Sequence, residues 1–410
     1  MNSSRWHLCL LILAAVAVLC AGIWLTYTLF TAPHTGGNDF YSRWVGGCAL
    51  LREGMNPYSE TITLRIQEGM YGRPARPGED QVAFAYPLYS LLFFWPLCFT
   101  ANYPLVQSIW MWLLLAGLVT AVLLWMRVIH WRPRLVVWTL TVLWSVLMYH
   151  SLRALLLGQF AVFVLLLLVL ALWAMQRERD GWAGLLLALA TVKPQMVYLA
   201  IPWVLLWAAG QRRWRLWWSF FGSMALLILG SMILLPSWIP DFARQAIAYP
   251  SYTVYGSLTW MIVRDLLGLG RGAEIAVMAL LAVAILVLGW RLWRGDWTQM
   301  IWMVGLLLLL TNFFTPRIAT TNYLLLLPWA LWGFRWMQRV WGRRGLWAAV
   351  AVEALSMVGL WVLFLVTIEG DFEHSSVYFP FPAAMTLLLV WLWGQIKMYR
   401  EPEPNSHCTD

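Results

Sequence analysis

Charge is what this sequence has least of. Only 11% of its 410 residues are Asp, Glu, Lys or Arg and 61% are hydrophobic, against about a quarter charged in soluble domains. That scarcity excludes an ordinary soluble domain and points to an all-α polytopic membrane protein. Lysine is nearly absent, found at Lys193 and Lys397 alone. No basic run of nucleic-acid type occurs, so no nucleic-acid partner is expected. The five cysteines, Cys9, Cys20, Cys48, Cys98 and Cys408, have neither metal-ligand spacing nor an evident disulfide framework. Cys9, Cys20 and Cys98 lie in apolar segments and read as packing residues. Walker loop, HExxH, GxSxG and dinucleotide fingerprints are all missing, as is any metal-ligand cluster. Neither a cofactor nor a divalent metal is therefore implied. The chain also lacks the internal repeat common in transporters.

What is abundant is tryptophan, with 31 residues, many near the ends of apolar runs, as suits the headgroup region. The first run, Leu8 to Phe30, is long enough to span and has no clear cleavage site after it, so it reads as a retained helix rather than a signal peptide. Arginines come in short clusters between apolar runs: Arg127/Arg132/Arg134, Arg177/Arg179, Arg212/Arg213/Arg215, Arg291/Arg294 and Arg335/Arg339/Arg343/Arg344. With Arg5, Lys397 and Arg400 they hold 17 of the 28 basic residues. The positive-inside rule puts them in the cytoplasm.

The outer segments are then 31–84, about 150–159, a short one at Lys193, 236–272, 311–322 and 369–379. The rule holds only if 85–99 is a half-span broken by Pro87 and Pro96, which gives about twelve crossings with both termini inside. Around Lys193-Pro194 the runs 183–192 and 197–209 are short, as in a dip that lines a cavity. Residues 1–400 form one transmembrane domain. The polar tail 401–410, EPEPNSHCTD, is expected to be disordered and cytoplasmic.

The long outer segment 31–84 begins with GGNDFYSRWVGG. Phe40, Trp44, Cys48 and Leu51 recur there at helical spacing, which predicts an amphipathic helix on the outer membrane surface, ended by a turn at NPYS, 56–59. Asp39 is an acidic residue at the membrane edge. It is either a catalytic base or, with Asn38, a helix N-cap or solvated carboxylate. Glu53, Asp80, Asp241 and Asp265 are weaker candidates of the same kind. Lys193, in LLLALATVKPQMVYLAIPW, has no acidic neighbour in sequence. It must pair, reach water by snorkelling or meet an anion such as a lipid phosphate.

Arg317, in TNFFTPRIATTNY, sits in a polar break that suits phosphate oxygens, or is an interfacial arginine. Gly158-Gln159 opens a long apolar helix with His150 and Arg153 just upstream, where a helix N-terminus can face a cavity. Tyr249, Tyr252, Tyr255 and Trp260 make an aromatic outer loop able to stack on sugar or lipid, although aromatics at interfaces are common.

Four pieces in this order resemble glycosyltransferase family 87, the polyprenol-phosphate-mannose-dependent mannosyltransferases of the GT-C superfamily. They are NDF with ALLREGMNPY, FAYPLYSLLFFWPL, LLLGQFAVFVLLLLVLAL and GLLLALATVKPQMVYL. Together they span residues 36–210, with a looser match at TPRIATTNYLLLLP. The resemblance implies the GT-C fold, a bacterial plasma-membrane location with the active site facing outward, and a polyprenyl-phosphate sugar donor. The acceptor would be a lipid or glycan, with membrane lipids around the chain.

The residue matching the family's first-loop base is Asp39. Lys193, Arg317 and Arg153 would meet the donor phosphate, and Asn38, Arg43, Tyr86, Gln159, Gln195, Tyr249 and Asn322 the substrates. Reaction is expected by one inverting displacement, most simply of mannose. TPRIATTNY departs from a family stretch that often carries His, which leaves acceptor and sugar open. A transporter or flippase of lipid-linked sugars, or a surface-glycan polymerase or ligase, are the competing readings.

Overall fold

Residues 3–76, 78–252, 256–368, 370 and 373–398 are described by a computed structural model. The tail 401–410 and Tyr255 lie outside them. No strand occurs among the described residues. Helix α1 (Ser3–Thr26) is followed by two helices that the sequence placed outside the membrane, α2 (Asn38–Glu53) and α3 (Glu60–Tyr71). Residues 85–99 do not make a spanning α-helix: they form two short 3-10 helices, Leu88–Phe93 and Trp95–Phe99. Then come α4 (Tyr103–Val128), the bent pair α5 (Leu135–Leu147) and α6 (Tyr149–Leu156), α7 (Ala161–Gln176), α8 (Asp180–Ala190) and α9 (Ala200–Gly210). The chain continues through α10 (Trp214–Leu234), α11 (Trp238–Ala248), the single turn α12 (Leu258–Trp260), α13 (Arg271–Leu292), α14 (Trp297–Phe314), α15 (Leu327–Thr367) and α16 (Pro380–Met398).

Among the described residues seven helices are long and apolar enough to cross a membrane, and eight if α5 and α6, bent by 53°, are one span. The shorter apolar helices are α7, α8 and α9. Helix α7 is apolar all round because it is enclosed: it packs between α4 and α8, with α10 beyond α8. Helix α1 is the opposite case, with no residue of its apolar window buried by protein. Helix α15 is two helices joined at Gly342, whose φ of 57° and ψ of −130° break the ladder beside Arg339, Arg343 and Arg344.

Three expectations change. The apolar stripe of α2 is turned onto the bundle, not onto lipid: Phe40 is fully buried and stacks on Trp110 at 4.1 Å, and Trp44 and Cys48 are buried beside it, while Leu51 is exposed. The helix is amphipathic because it roofs the protein. Second, Cys48 and Cys98 form a disulfide with Cα atoms 5.2 Å apart, tying α2 to the second 3-10 helix. Forty-nine intervening residues hid the pair in the sequence. Cys20 is free and exposed on α1 rather than packed. Third, tryptophan is not only an interfacial residue. Trp110, Trp125 and Trp329 are fully buried, and their indole N–H groups donate to the carbonyls of Gly158, Pro328 and Ile301. Each clamps two elements without leaving a donor unpaired in an apolar medium.

Candidate functional site

The GGNDF stretch begins α2 at Asn38, with Gly37 left-handed in the N-cap position and no side-chain cap. Asp39 is therefore not the cap. It sits in the first turn, where its carboxylate also meets the positive end of the helix. What holds it comes from 120 residues away. Gln159 donates from Nε2 to Asp39 Oδ2 at 2.5 Å, while its Oε1 accepts from Lys193 Nζ at 2.8 Å. Lys193 Nζ also donates to Asn322 Oδ1 at 3.0 Å. Arg43, one helical turn after Asp39, brings Nη1 within 3.8 Å of Asp39 Oδ1 and lies over the Tyr86 ring, 4.4 Å from its centroid.

The backbone delivers each of these groups for a reason. Gly158 is left-handed (φ 72°) and so close to α2 that a Cβ there would stand 2.6 Å from Phe40 Cβ. Only glycine allows that approach, and it swings Gln159 onto Asp39. Pro194 ends α8 and starts a short 3-10 turn, leaving Lys193 in the break and 95% buried. Its two hydrogen-bond partners are neutral amides, so among the described residues no counter-ion within 4 Å cancels the ammonium. Asn322 comes from a 3-10 stretch, Thr320–Leu326, at the head of α15.

These side chains line one cavity of about 450 Å³, a size usual for a substrate site. Asp39, Arg43, Tyr86, Arg153, Gln159, Lys193, Gln195, Tyr249, Arg317 and Asn322 all reach it. Asn38 does not: it is exposed and points elsewhere, because residues adjacent on a helix face different sides. Every outer segment inferred from the arginine clusters contributes a wall, from 31–84 with Asp39 to 369–379 with Glu373 and Tyr378.

Arg153 has a different surrounding from the one expected. It is ion-paired with the buried Glu373, and its Nη1 donates to the Tyr149 hydroxyl at 2.7 Å. Tyr149 and Thr320 hydroxyls donate to the same Glu373 oxygen at 3.0 and 2.8 Å. Its charge is thus largely met within the protein. Glu373 was not singled out from sequence, and its only signal was a carboxylate in an outer segment. Arg317, by contrast, keeps Nη1 buried without a hydrogen bond and lies 5.8 Å from the Tyr249 ring centroid. Four cations (Arg43, Arg153, Lys193, Arg317) face three carboxylates (Asp39, Asp80, Glu373), leaving one positive charge over.

Asp241 also proves structural. It lies on α11 and accepts from Asn56 Nδ2 at 2.7 Å and from Ser237 Oγ at 2.8 Å, pinning that helix to the NPY turn. Burial alone would raise its pKa, but these bonds and Arg244 outweigh burial and lower it. Glu53 pairs with Arg65 at the surface.

A search of curated proteins finds no match to the chain. The family model for glycosyltransferase family 87 matches residues 84–311, more than half of its length.

Proposed function

The chain belongs to glycosyltransferase family 87, and we propose that it moves a hexose, most simply mannose, from polyprenyl phosphate to a lipid or glycan acceptor on the outer side of a bacterial plasma membrane. The observation that carries this reading is the relay Asp39–Gln159–Lys193. One amide holds a carboxylate at one end and an uncancelled ammonium at the other, in one cavity.

The chemistry follows from that placement. An acceptor hydroxyl attacks the anomeric carbon of the donor sugar as the bond from that carbon to the phosphate oxygen breaks. Asp39 takes the hydroxyl proton, and the polyprenyl phosphate leaves as an anion. Gln159 occupies Oδ2, which leaves Oδ1 for the proton. Lys193, with the unpaired Nη1 of Arg317, meets the charge growing on the leaving phosphate. One displacement suffices, so the anomeric configuration inverts. In this scheme Arg153 positions Thr320 and Tyr149 through Glu373, and does not grip phosphate.

Twelve crossings in the GT-C manner would use α1, α4, the α5–α6 pair, α10, α13, α14, both halves of α15 and α16, together with the shorter apolar helices α7, α8 and α9. The Cys48–Cys98 disulfide favours an oxidising, outer location for the loop that carries Asp39. The test is donor choice. Purified protein in detergent, given a membrane lipid extract, should transfer radiolabel from polyprenyl-phosphate-mannose and not from a nucleotide-linked mannose. Transfer from the nucleotide sugar alone would overturn the proposal.

A further inference from the structure

Asp80 is the carboxylate of the cavity wall that the scheme above leaves without a task. It comes from the polar stretch between α3 and the first 3-10 helix. Its Oδ1 accepts from the Val82 N–H at 2.9 Å, and among the described residues its side chain has no other hydrogen bond and no ion pair within 4 Å. Asp39 and Glu373, the other two cavity carboxylates, are each beside an arginine.

The chain holds Asp80 there with care. Tyr71 donates its hydroxyl to the Asp80 carbonyl at 3.0 Å. Gln67, almost wholly buried, donates to the Gln81 carbonyl at 3.1 Å and accepts from the Ala75 N–H at 2.9 Å. Arg73 grips both oxygens of Glu79 at 2.7 and 2.8 Å, which with the Arg76 N–H pulls that carboxyl down to about 2. Val82 takes a φ of 47°, a conformation that a β-branched residue adopts only under constraint. Burial pushes the Asp80 carboxyl above its usual range, although the Val82 N–H and the charge of Arg317 oppose this. A half-buried carboxylate fixed this firmly and left with an oxygen to spare is waiting for a hydrogen-bond donor.

Which donor follows from charge and place. The donor substrate brings a phosphate, which Asp80 repels and Lys193 and Arg317 attract. Lys193 comes from the break between two apolar helices and Asp80 from the polar stretch that follows α3, and both line the cavity. A carboxylate with an oxygen to spare suits the neutral substrate, whose hydroxyls can donate to it. Asp39 and Asp80 line the same cavity, with Tyr249 in its wall as well.

We propose that Asp80 is the acceptor-recognition residue: it accepts hydrogen bonds from hydroxyls of a neutral, hydroxyl-rich headgroup or glycan end and so presents a neighbouring hydroxyl to Asp39. This deepens the transferase reading and rests on it. A carboxylate that must accept hydroxyl protons discriminates strongly against an acceptor lacking them, since it is then left buried and unmet.

The test uses full-length protein in detergent with radiolabelled polyprenyl-phosphate-mannose, measuring transfer across a dilution series of membrane lipid extract and, without extract, release of free mannose. Melting temperature is recorded beside each variant. Asp80→Asn keeps the shape and the Val82 contact. It should raise the half-saturating extract concentration at least tenfold, so that transfer at low extract falls far more than mannose release does. Asp80→Glu should recover part of the loss. The half-saturating donor concentration should stay near that of wild type.

An unchanged dependence on extract in Asp80→Asn overturns the proposal. So does a folded variant that loses mannose release and transfer in equal measure, or one whose defect lies in donor saturation. Wild-type protein that neither transfers nor releases mannose would bring down the transferase reading, and this inference with it.

Discussion

Gln159 donates its amide N–H to Asp39 Oδ2 at 2.5 Å, across 120 residues of sequence. The other end of that amide holds Lys193 at 2.8 Å. The proposed base and the proposed phosphate partner are thus oriented by one side chain that is itself neutral. Gln159→Leu should leave the fold intact and reduce kcat by about 10–100-fold, since a misaimed base loses most of its ordinary contribution of about 10²–10⁴. Gln159→Glu would set a second carboxylate against Asp39. The pair then holds a proton to higher pH, so the acid limb of the rate profile should move upward. A pH–rate profile of Gln159→Glu superimposable on wild type contradicts this role.

Lys193 and Arg153 were expected to act alike, and their surroundings now separate them. Lys193→Met should cost about 10²–10³-fold in turnover, the scale of one lost oxyanion donor. Its effect should appear in donor saturation and in turnover together. Arg153→Gln frees the buried Glu373 carboxylate from its cation, so its main consequence should be a lower melting temperature. The pair is distinguished by thermal melts run beside steady-state kinetics. A chelator in the same assay should leave transfer unchanged, because the scheme assigns the phosphate charge to Lys193 and Arg317.

The Cys48–Cys98 bond closes a loop of about 50 residues, which in the chain-entropy account is worth about 4 kcal/mol. Cys48→Ser should therefore melt well below wild type. The same segment reports topology. In intact cells a membrane-impermeant maleimide should label the variant Glu60→Cys, whose position is exposed, without permeabilisation. Labelling that needs permeabilised cells would put the loop, and Asp39 with it, on the cytoplasmic side.

Gly158→Ala asks whether the approach of the α6–α7 junction to α2 matters. The added Cβ meets Phe40 at 2.6 Å and a φ of 72° is unfavourable to it. Together these should cost about 1–3 kcal/mol and reduce transfer through a displaced Gln159. A variant as stable and active as wild type would show that the junction relaxes freely.

How much of this could be read in the sequence divides by the kind of signal. Charge clusters and apolar runs carry topology, because a membrane penalises each arginine it must bury. That is why each outer segment named from arginine placement supplies part of the cavity wall, with Ala85 and Tyr86 added from 85–99. Single charges in apolar surroundings were legible for the same reason, and Lys193 and Arg317 both reach the cavity. Pairings were not legible. Nothing local marks Glu373 as the partner of Arg153, Cys98 as the partner of Cys48, or Asn56 as the partner of Asp241, since each pair is made by segments far apart in sequence. Asn38 does not line the cavity for a geometric reason: it adjoins Asp39, and on a helix adjoining residues diverge. The stripe on α2 reads as lipid-facing although it covers the bundle, because amphipathicity tells that a face is covered and not by what.

The central claim is that Asp39 removes the acceptor proton. Asp39→Asn keeps the shape of the side chain and abolishes its basicity, and Gln159 can turn its amide to suit. The measurement is transfer of radiolabel from polyprenyl-phosphate-mannose to a membrane lipid extract by purified wild type and by Asp39→Asn, with melting temperatures recorded on the same preparations. The account predicts that the variant melts with wild type while transfer falls by at least about 10²-fold. A folded Asp39→Asn that transfers at the wild-type rate would contradict it and move the base to another carboxylate of the cavity.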